Sequence, residues 1–474
     1  MSVGNRHFFL AAIIGLLGAC GANNGTGTSS NNGTTTANNA ASTNTATTGP
    51  TNNGTSTNGA SNNDTTAPQA TVFYHEHVKP IIDAKCSECH VAGGIGPFAL
   101  DDYESVSAVA GLVKAAVVNE TMPPFLYDTT CREPSFDPSL SEEQIQTTSD
   151  WVDQGAVEGD PAAAGAPLDI ARPEQPTFDS VLTMPAEYTP VQSPDDYRCF
   201  VIDWPHDTTK YVTAFGVEPG QEAMVHHVIA FLARPDFVAQ AEALDAAEEG
   251  PGYTCFGGPV IDDFYWLGSW APGGLLASGY PEGTGLEIPA GSKVIVQVHY
   301  NTLIEDPRPD QTTIKFETAD SVEKTAFWMP WANPLWLNGS MRIPAGEADV
   351  KHGFTYDPTS FFTDGKPIDI WAAGLHMHML GTSARSWITR QGGEEACVAD
   401  IPRWDFNWQS GVAFDEPVRF NPGDKLGLEC HWDNTMENQP VVDGRRLTPQ
   451  DRNWGEGSTD EMCLGVFYIT IEEP

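Results

Sequence analysis

The sequence predicts a multidomain protein, a small all-α domain followed by two all-β sandwich domains. Three observations carry that expectation. Apolar positions recur at helical spacing between residues 70 and 162, and the periodicity disappears after them. A stretch rich in Ala and Pro, Ala162 to Pro176, then reads as a linker. Beyond it, alternating apolar runs are separated by Gly, Pro, Asn and Asp turns, the pattern of sheet packed on sheet. A chain of 474 residues suits about three domains at ~150 residues each.

The first 20 residues read as a signal. Arg6 precedes an apolar run from Phe8 to Leu17 that is too short to span a bilayer as a mature helix. Leu17-Gly18-Ala19-Cys20 resembles the bacterial lipobox, in which Cys20 is acylated and becomes the new N-terminus. Residues 21–69 are almost entirely Asn, Thr, Gly, Ser and Ala, which cannot bury a core and predict a disordered tether. A flexible segment of that length spans roughly 35–40 Å on root-mean-square average. The expectation is a lipid-anchored protein of the bacterial cell envelope, at the outer membrane on its periplasmic or outer face. Gly21 does not resemble an inner-membrane retention signal.

The chain carries 24 Lys and Arg against 64 Asp and Glu, a net charge of −40 with His neutral. That balance argues against nucleic acid and anionic lipid surfaces as partners, because both select basic patches. It predicts a solvated acidic surface that can steer a basic redox partner.

Residues 70–162 hold the motif Cys86-Ser87-Glu88-Cys89-His90. This spacing is specific, since two thiols add to haem vinyls and the His takes the iron. Val72 to Lys85 predicts a helix leading into the motif, and Val106 to Val118 a second. Ser141-Glu142-Glu143-Gln144 reads as a capping box opening a third helix through Ile145, Trp151 and Val152, stopped at Gly155. Three helices around one such motif resemble a class I cytochrome c. Met122, in Thr121-Met122-Pro123-Pro124, is the expected sixth iron ligand, with Met184 its rival. Pro97 resembles the proline whose carbonyl orients the proximal His in that family. His75 and His77 read as solvent-facing.

Cysteine use suits an oxidising compartment. With Cys20 assigned to lipid and Cys86 and Cys89 to haem, six of the 9 Cys remain. Six allow fifteen connectivities, among which the sequence does not choose.

After a linker at residues 163–177, strands are predicted over Tyr197–Trp204, Tyr211–Val217, Val225–Leu232, Lys293–Thr302, Ile368–His378, Lys425–Trp432 and Cys463–Ile471. Nearly all the remaining chemistry sits on them. His376 and His378 are two apart and would share one face of a strand. Met462, opening another strand, can close a His-His-Met site. Met is rarely recruited as a ligand unless the metal spends time as soft Cu(I). His226 and His227 are neighbours, so both reach one metal only if the strand bulges or ends there. His299 would complete a three-His site, for which zinc competes with copper.

The segments Val225-His226-His227, Gln297-Val298-His299-Tyr300, His376-Met377-His378 and Asp460-Glu461-Met462-Cys463 occur in the order found in the copper type II, ascorbate-dependent monooxygenases. The resemblance covers about residues 190–474. It implies two jelly-roll-like sandwiches, 178–320 and 321–474, each holding one copper. His226, His227 and His299 match the electron-storing copper of that family; His376, His378 and Met462 match the copper where oxygen binds. The resemblance also implies a Cys430–Cys463 disulfide and suggests Cys199–Cys255. Cys131 and Cys397 are then left for each other, a pairing that stays open. The peptide-amidating branch has an Arg two residues before its H-x-H, where this chain has Gly374. It also has Asn and Tyr where Leu464 and Val466 stand here. A peptidylglycine substrate is therefore not expected. The run Trp404-Asp405-Phe406-Asn407-Trp408-Gln409 reads as core before it reads as a pocket lining.

The resulting expectation is a membrane-anchored monooxygenase. It would hydroxylate a C–H bond of a small organic substrate with O₂, using two copper ions and one covalent haem c. Electrons would come from a periplasmic or extracellular donor through the haem to the three-His copper, without ascorbate. The alternatives are a non-catalytic electron-transfer or copper-binding lipoprotein, and a carbohydrate- or partner-binding sandwich pair. His206, His352 and His431 read as structural, with His431 facing away from Cys430.

Overall fold

The computed structural model describes residues 71–168 and 173–472, apart from residues 88, 93–95, 272–276, 303–305 and 443–444. Cys20, the signal and the tether lie outside the described residues. No helix among the described residues is long and apolar enough to cross a membrane.

The helices that precede the sheets share one small core of Tyr74, Val78, Ile82, Leu100, Val106, Val113 and Trp151. The first expected helix is divided: a π-turn over Tyr74–Val78 runs into an α-helix over Lys79–Lys85. Pro80 explains the change, because it has no N–H to continue the ladder and fits only the first turn of the α-helix. The second is also two pieces, Tyr103–Ala108 and Ala110–Val118, parted at Val109, whose backbone leaves the helical region. Asp102 caps the first piece by accepting from the Ser105 N–H at 2.9 Å. The third helix, Glu142–Asp153, opens on Ser141 with the reciprocal Gln144 bond and buries Trp151 completely.

The rest of the chain is mostly β. One five-stranded sheet has the order Tyr253–Thr254, Asp195–Asp203, Lys293–Asn301, Val225–Ala233, Tyr265–Trp270. Facing it across a shared core lie Ser180–Thr183, Thr313–Ala319, Lys210–Glu218 and Thr284–Ile288. That second sheet does not stop there. Thr284 and Gly285 pair in parallel with Lys324 and Thr325, and the sheet continues through Lys324–Trp331, Leu464–Ile471, Ile368–His376 and Val412–Phe420. With Ala277–Gly279 paired onto Lys210–Glu218 as its ninth strand, this one sheet joins the two sandwiches edge to edge. A four-stranded sheet of Val350–Tyr356, Lys425–Trp432, Gly381–Thr389 and Glu395–Ile401 covers the C-terminal half of it.

Three disulfides lock the arrangement: Cys199–Cys255, Cys430–Cys463 and Cys131–Cys397. The last spans 266 residues of sequence and ties the helical unit to the C-terminal sandwich. Backbone bonds flank it, Asp128 N–H to Asp400 O and Ser135 N–H to Ala413 O, both 2.8 Å. Arg403 adds its guanidinium to the carbonyls of Asn119 and Glu120. The docked helical unit therefore faces the same end of the C-terminal sandwich as His376.

Candidate metal centres

His226 and His227 lie at the start of the Val225–Ala233 strand. Against Lys293–Asn301, the register slips between Val225 and His227: Val225 opposes Tyr300 and His227 opposes His299. His226 is the extra residue of a bulge, which is what allows adjacent side chains to turn to one side. The Nδ1 atoms of His227 and His299 stand 3.3 Å apart, and donor atoms of all three His lie within 4.8 Å of one another.

Asp195 sets the His299 tautomer. The His299 Nε2–H donates to Asp195 Oδ1 at 2.9 Å, which leaves Nδ1 unprotonated and turned toward its neighbours. Burial raises the Asp195 carboxyl, but the bonds from His299 and Ser458 outweigh it and hold the group below the usual carboxylate range. Tyr197 stacks flat on His299, 4.0 Å between ring centres.

The second group forms where the Ile368–His376 strand ends. His378 was expected on that strand and lies beyond it. Glu461 makes the turn, accepting from the His378 N–H at 3.0 Å and the Leu380 N–H at 2.7 Å. Met377 between them is fully buried in the core, so His376 and His378 turn outward together, with ring centres 5.0 Å apart. The His376 Nδ1–H donates to Gln409 Oε1, and the His378 Nδ1–H donates to Asp460 O at 3.2 Å. Both rings therefore present Nε2 as a free electron pair. Met462, held beside the Cys430–Cys463 bridge, lines the same cavity as these two rings.

Burial holds all five imidazoles below their ordinary range, His376 to about 4. Neutral imidazole is the metal-binding form. Both ring nitrogens of His226 are buried without a hydrogen-bond partner among the described residues. Such orphans are costly unless a ligand satisfies them. On these observations the two donor sets, N₃ and N₂S, fit metal ions. The thioether makes copper the better fit at the second.

The cavity, about 1100 Å³ and mostly apolar, extends from His376, His378 and Met462 to Cys86, Cys89, His90 and Met122. Neither Cys86 nor Cys89 is part of a disulfide. Burial, with Cys89 beside it, pushes the Cys86 thiol up to about 12, so it is not a reactive thiolate. His90 Nδ1–H donates to Phe98 O at 3.0 Å, leaving Nε2 toward the cavity. The accepting carbonyl belongs to Phe98, not to Pro97 as the sequence suggested. Gly96 packs so closely on the ring that a Cβ there would come within 2.7 Å of His90 Nδ1. Leu100, Val113 and Val117 line the crevice, so its donors and walls fit a covalently held porphyrin. Met184 lies elsewhere, in the N-terminal sandwich core, where its sulfur accepts from the Thr312 N–H at 3.2 Å.

Among the described residues, the remaining His are bonded elsewhere: His75 to Glu158, His77 to Phe73, His206 to Ser180, His352 to Arg342 O, and His431 to Asp349 and Glu429. Sequence reasoning missed Asp195, Gln409 and Glu461 as supports. Only Glu461 left a local signal, a charge wedged between Asp460 and Met462 at the start of a buried strand.

Residues 335–471 match the family model described as copper type II ascorbate-dependent monooxygenase, C-terminal domain. That family consists of oxidoreductases that incorporate one oxygen atom. His376, His378 and Met462 fall inside the matched segment, and the three-His group lies outside it. The chain is similar to DBH-like monooxygenase protein 1 of Gallus gallus, 26% identical over 54% of this chain and 41% of that protein. It is 24% identical to tyramine beta-hydroxylase of Caenorhabditis briggsae, over 57% and 45%. To dopamine beta-hydroxylase of Canis lupus familiaris it is 25% identical, over 63% and 47%. The chain spans less than half the length of each of these relatives.

Proposed function

We propose that this protein is a copper monooxygenase, lipid-anchored through Cys20 in the cell envelope, with a c-type haem as its built-in electron relay. The net reaction would be R–H + O₂ + 2e⁻ + 2H⁺ → R–OH + H₂O. The observation that carries the reading is convergence. His227 from one sandwich and His376, His378 and Met462 from the other line one apolar cleft, and His226 and His299 gather around His227.

Copper at the two centres would supply one-electron storage and oxygen activation. The residues of the chain do the rest. Asp195, Gln409 and Asp460 O each fix a proton on one ring nitrogen, so that the other nitrogen of His299, His376 and His378 is free to coordinate. Met462 supplies a soft donor, and the apolar walls limit water. Cys86, Cys89, His90 and Met122 would hold the haem, whose chemistry is one-electron transfer. Its crevice opens into the cavity shared with the His376 group, which supports delivery of electrons within the chain. Replacing Cys86 and Cys89 by Ala is expected to abolish haem absorbance and turnover from the physiological donor, while artificial copper reductants still support product formation. Full turnover from that donor without haem would sink the relay.

The cavity also holds a recognition group. Burial and the charge of Asp460 push the Glu456 carboxyl up to about 7, and Glu456 lines the cleft. Two relatives are by name hydroxylases of tyramine and dopamine. A small substrate with a cationic end and an apolar body suits this lining. Glu456→Gln should raise KM for amine substrates roughly 10–100-fold, the worth of one charge-assisted bond, and leave kcat nearly unchanged. Equal loss of kcat for charged and uncharged substrates would remove Glu456 from recognition.

A further inference from the structure

Among the five imidazoles, three are oriented by a hydrogen bond through the nitrogen that does not coordinate: His299 to Asp195, His376 to Gln409 and His378 to Asp460 O; His227 meets His299 Nδ1 to Nδ1. His226 has no hydrogen bond among the described residues. What lies against it is the ring of Phe406, stacked at 4.5 Å between centres and 19° between planes. Phe406 comes from the other sandwich, on the segment between the Glu395–Ile401 and Val412–Phe420 strands. The same ring meets His378 edge-on at 6.1 Å.

The segment is built to deliver that ring. At one end the Trp404 indole N–H donates to His378 O at 3.1 Å; at the other, Gln409 holds His376. Between them Asp405 accepts from the Asn407 N–H at 2.9 Å, and the Trp408 N–H closes on Asp405 O at 3.0 Å. This tight turn presents Phe406 at its tip. Trp404 joins the C-terminal core, whereas Phe406 is half-buried and belongs to none of the hydrophobic clusters. Ordinary core filling therefore does not account for it.

We infer that Phe406 is the positioning residue of His226: the turn anchored on His376 and His378 reaches across the cleft and aims the ligand imidazole whose two ring nitrogens have no hydrogen-bond partner among the described residues. The inference rests on the copper reading above. It makes the three-His centre depend on the C-terminal sandwich, so separating the sandwiches would loosen His226.

The test is cuprous ion affinity of the full-length protein, titrated against a chromophoric chelator in a Met462→Leu background, which weakens the second centre while leaving His376 and His378 to hold the turn. Cupric electron paramagnetic resonance of the same samples reports the nitrogen ligand set. Phe406→Ala should weaken affinity about tenfold, the scale of losing one outer partner of a metal ligand, and alter the nitrogen hyperfine pattern. Phe406→Tyr, which can stack, should restore both. Phe406→Leu, which fills space without stacking, should not. Restoration by Leu would overturn the inference in favour of packing, and so would an unchanged Phe406→Ala. If the parent background binds no copper at all, the metal-centre reading itself fails, an outcome separate from either of these.

Discussion

Met462→Ala is expected to abolish product-coupled oxygen uptake while the three-His group keeps its copper. The thioether is the soft donor beside His376 and His378, and without it that pair favours Cu(II) or zinc over Cu(I). The loss in coupled turnover should be on the order of 100-fold or more, since even outer partners of metal ligands cost 10–100-fold. Met462 is 6% exposed, so truncation also opens a void, at about 2–5 kcal/mol of stability for a buried Met. The neighbouring Cys430–Cys463 bridge retains the backbone there. Met462→Leu fills the void without supplying sulfur, and separates the two effects. Copper bound per chain should fall from two toward one in both variants. Unchanged coupled uptake in Met462→Leu would remove the sulfur from the mechanism.

The second large effect is a loss of stability of the metal-free protein in mild acid. The five clustered imidazoles have folded pKa values below the unfolded value of about 6.5, because burial disfavours their charged form. Below pH 6.5 the unfolded chain takes up protons that the folded chain refuses. Stability is therefore fully present above 6.5 and is lost as pH falls toward about 4, the value for His376. Each imidazole contributes up to about 1.4 kcal/mol per pH unit in that window. Glu456 and Glu461 act in the opposite sense. Burial raises them to about 7 and about 8, so their contribution is present below about 4.5 and fades as pH rises through those values. Five groups against two leave the imidazoles dominant between pH 4.5 and 6.5. Denaturant midpoints of the metal-free protein should drop steeply from pH 7 to pH 5, and the drop should shrink when His226 and His227 are replaced by Asn. A flat profile would mean that these rings are hydrated and not buried together.

Much of the fold and the donor set was legible along the chain. Apolar runs bounded by turn residues located the Val225–Ala233 and Lys293–Asn301 strands to within a residue or so, because both are buried along most of their length. The need for a bulge at His226 followed from strand geometry alone, and the register slip supplies it. The helices were less legible. Pro80 and Val109 each divide a pattern that reads as continuous, since periodicity reports which face is buried and not where the backbone changes its pitch. The aromatic run 404–409 read as core, and only Trp404 behaves so. An aromatic ring looks the same in sequence whether it fills a void or braces a ligand.

Donor chemistry resides in the side chain, so imidazole, thioether and paired thiols announce themselves wherever they stand in the polymer. Spacing suggested metal ligands, and the resemblance to the copper monooxygenases sorted them into two groups. The supports around them are another matter. Ser458 bonds Asp195 across 263 residues, and Gln409 reaches His376 across 33. Such partners are chosen by sheet register and by the seam between the sandwiches. Asp, Gln and Phe have so many ordinary places in a protein that only the folded neighbourhood distinguishes the few that set a proton or a ring.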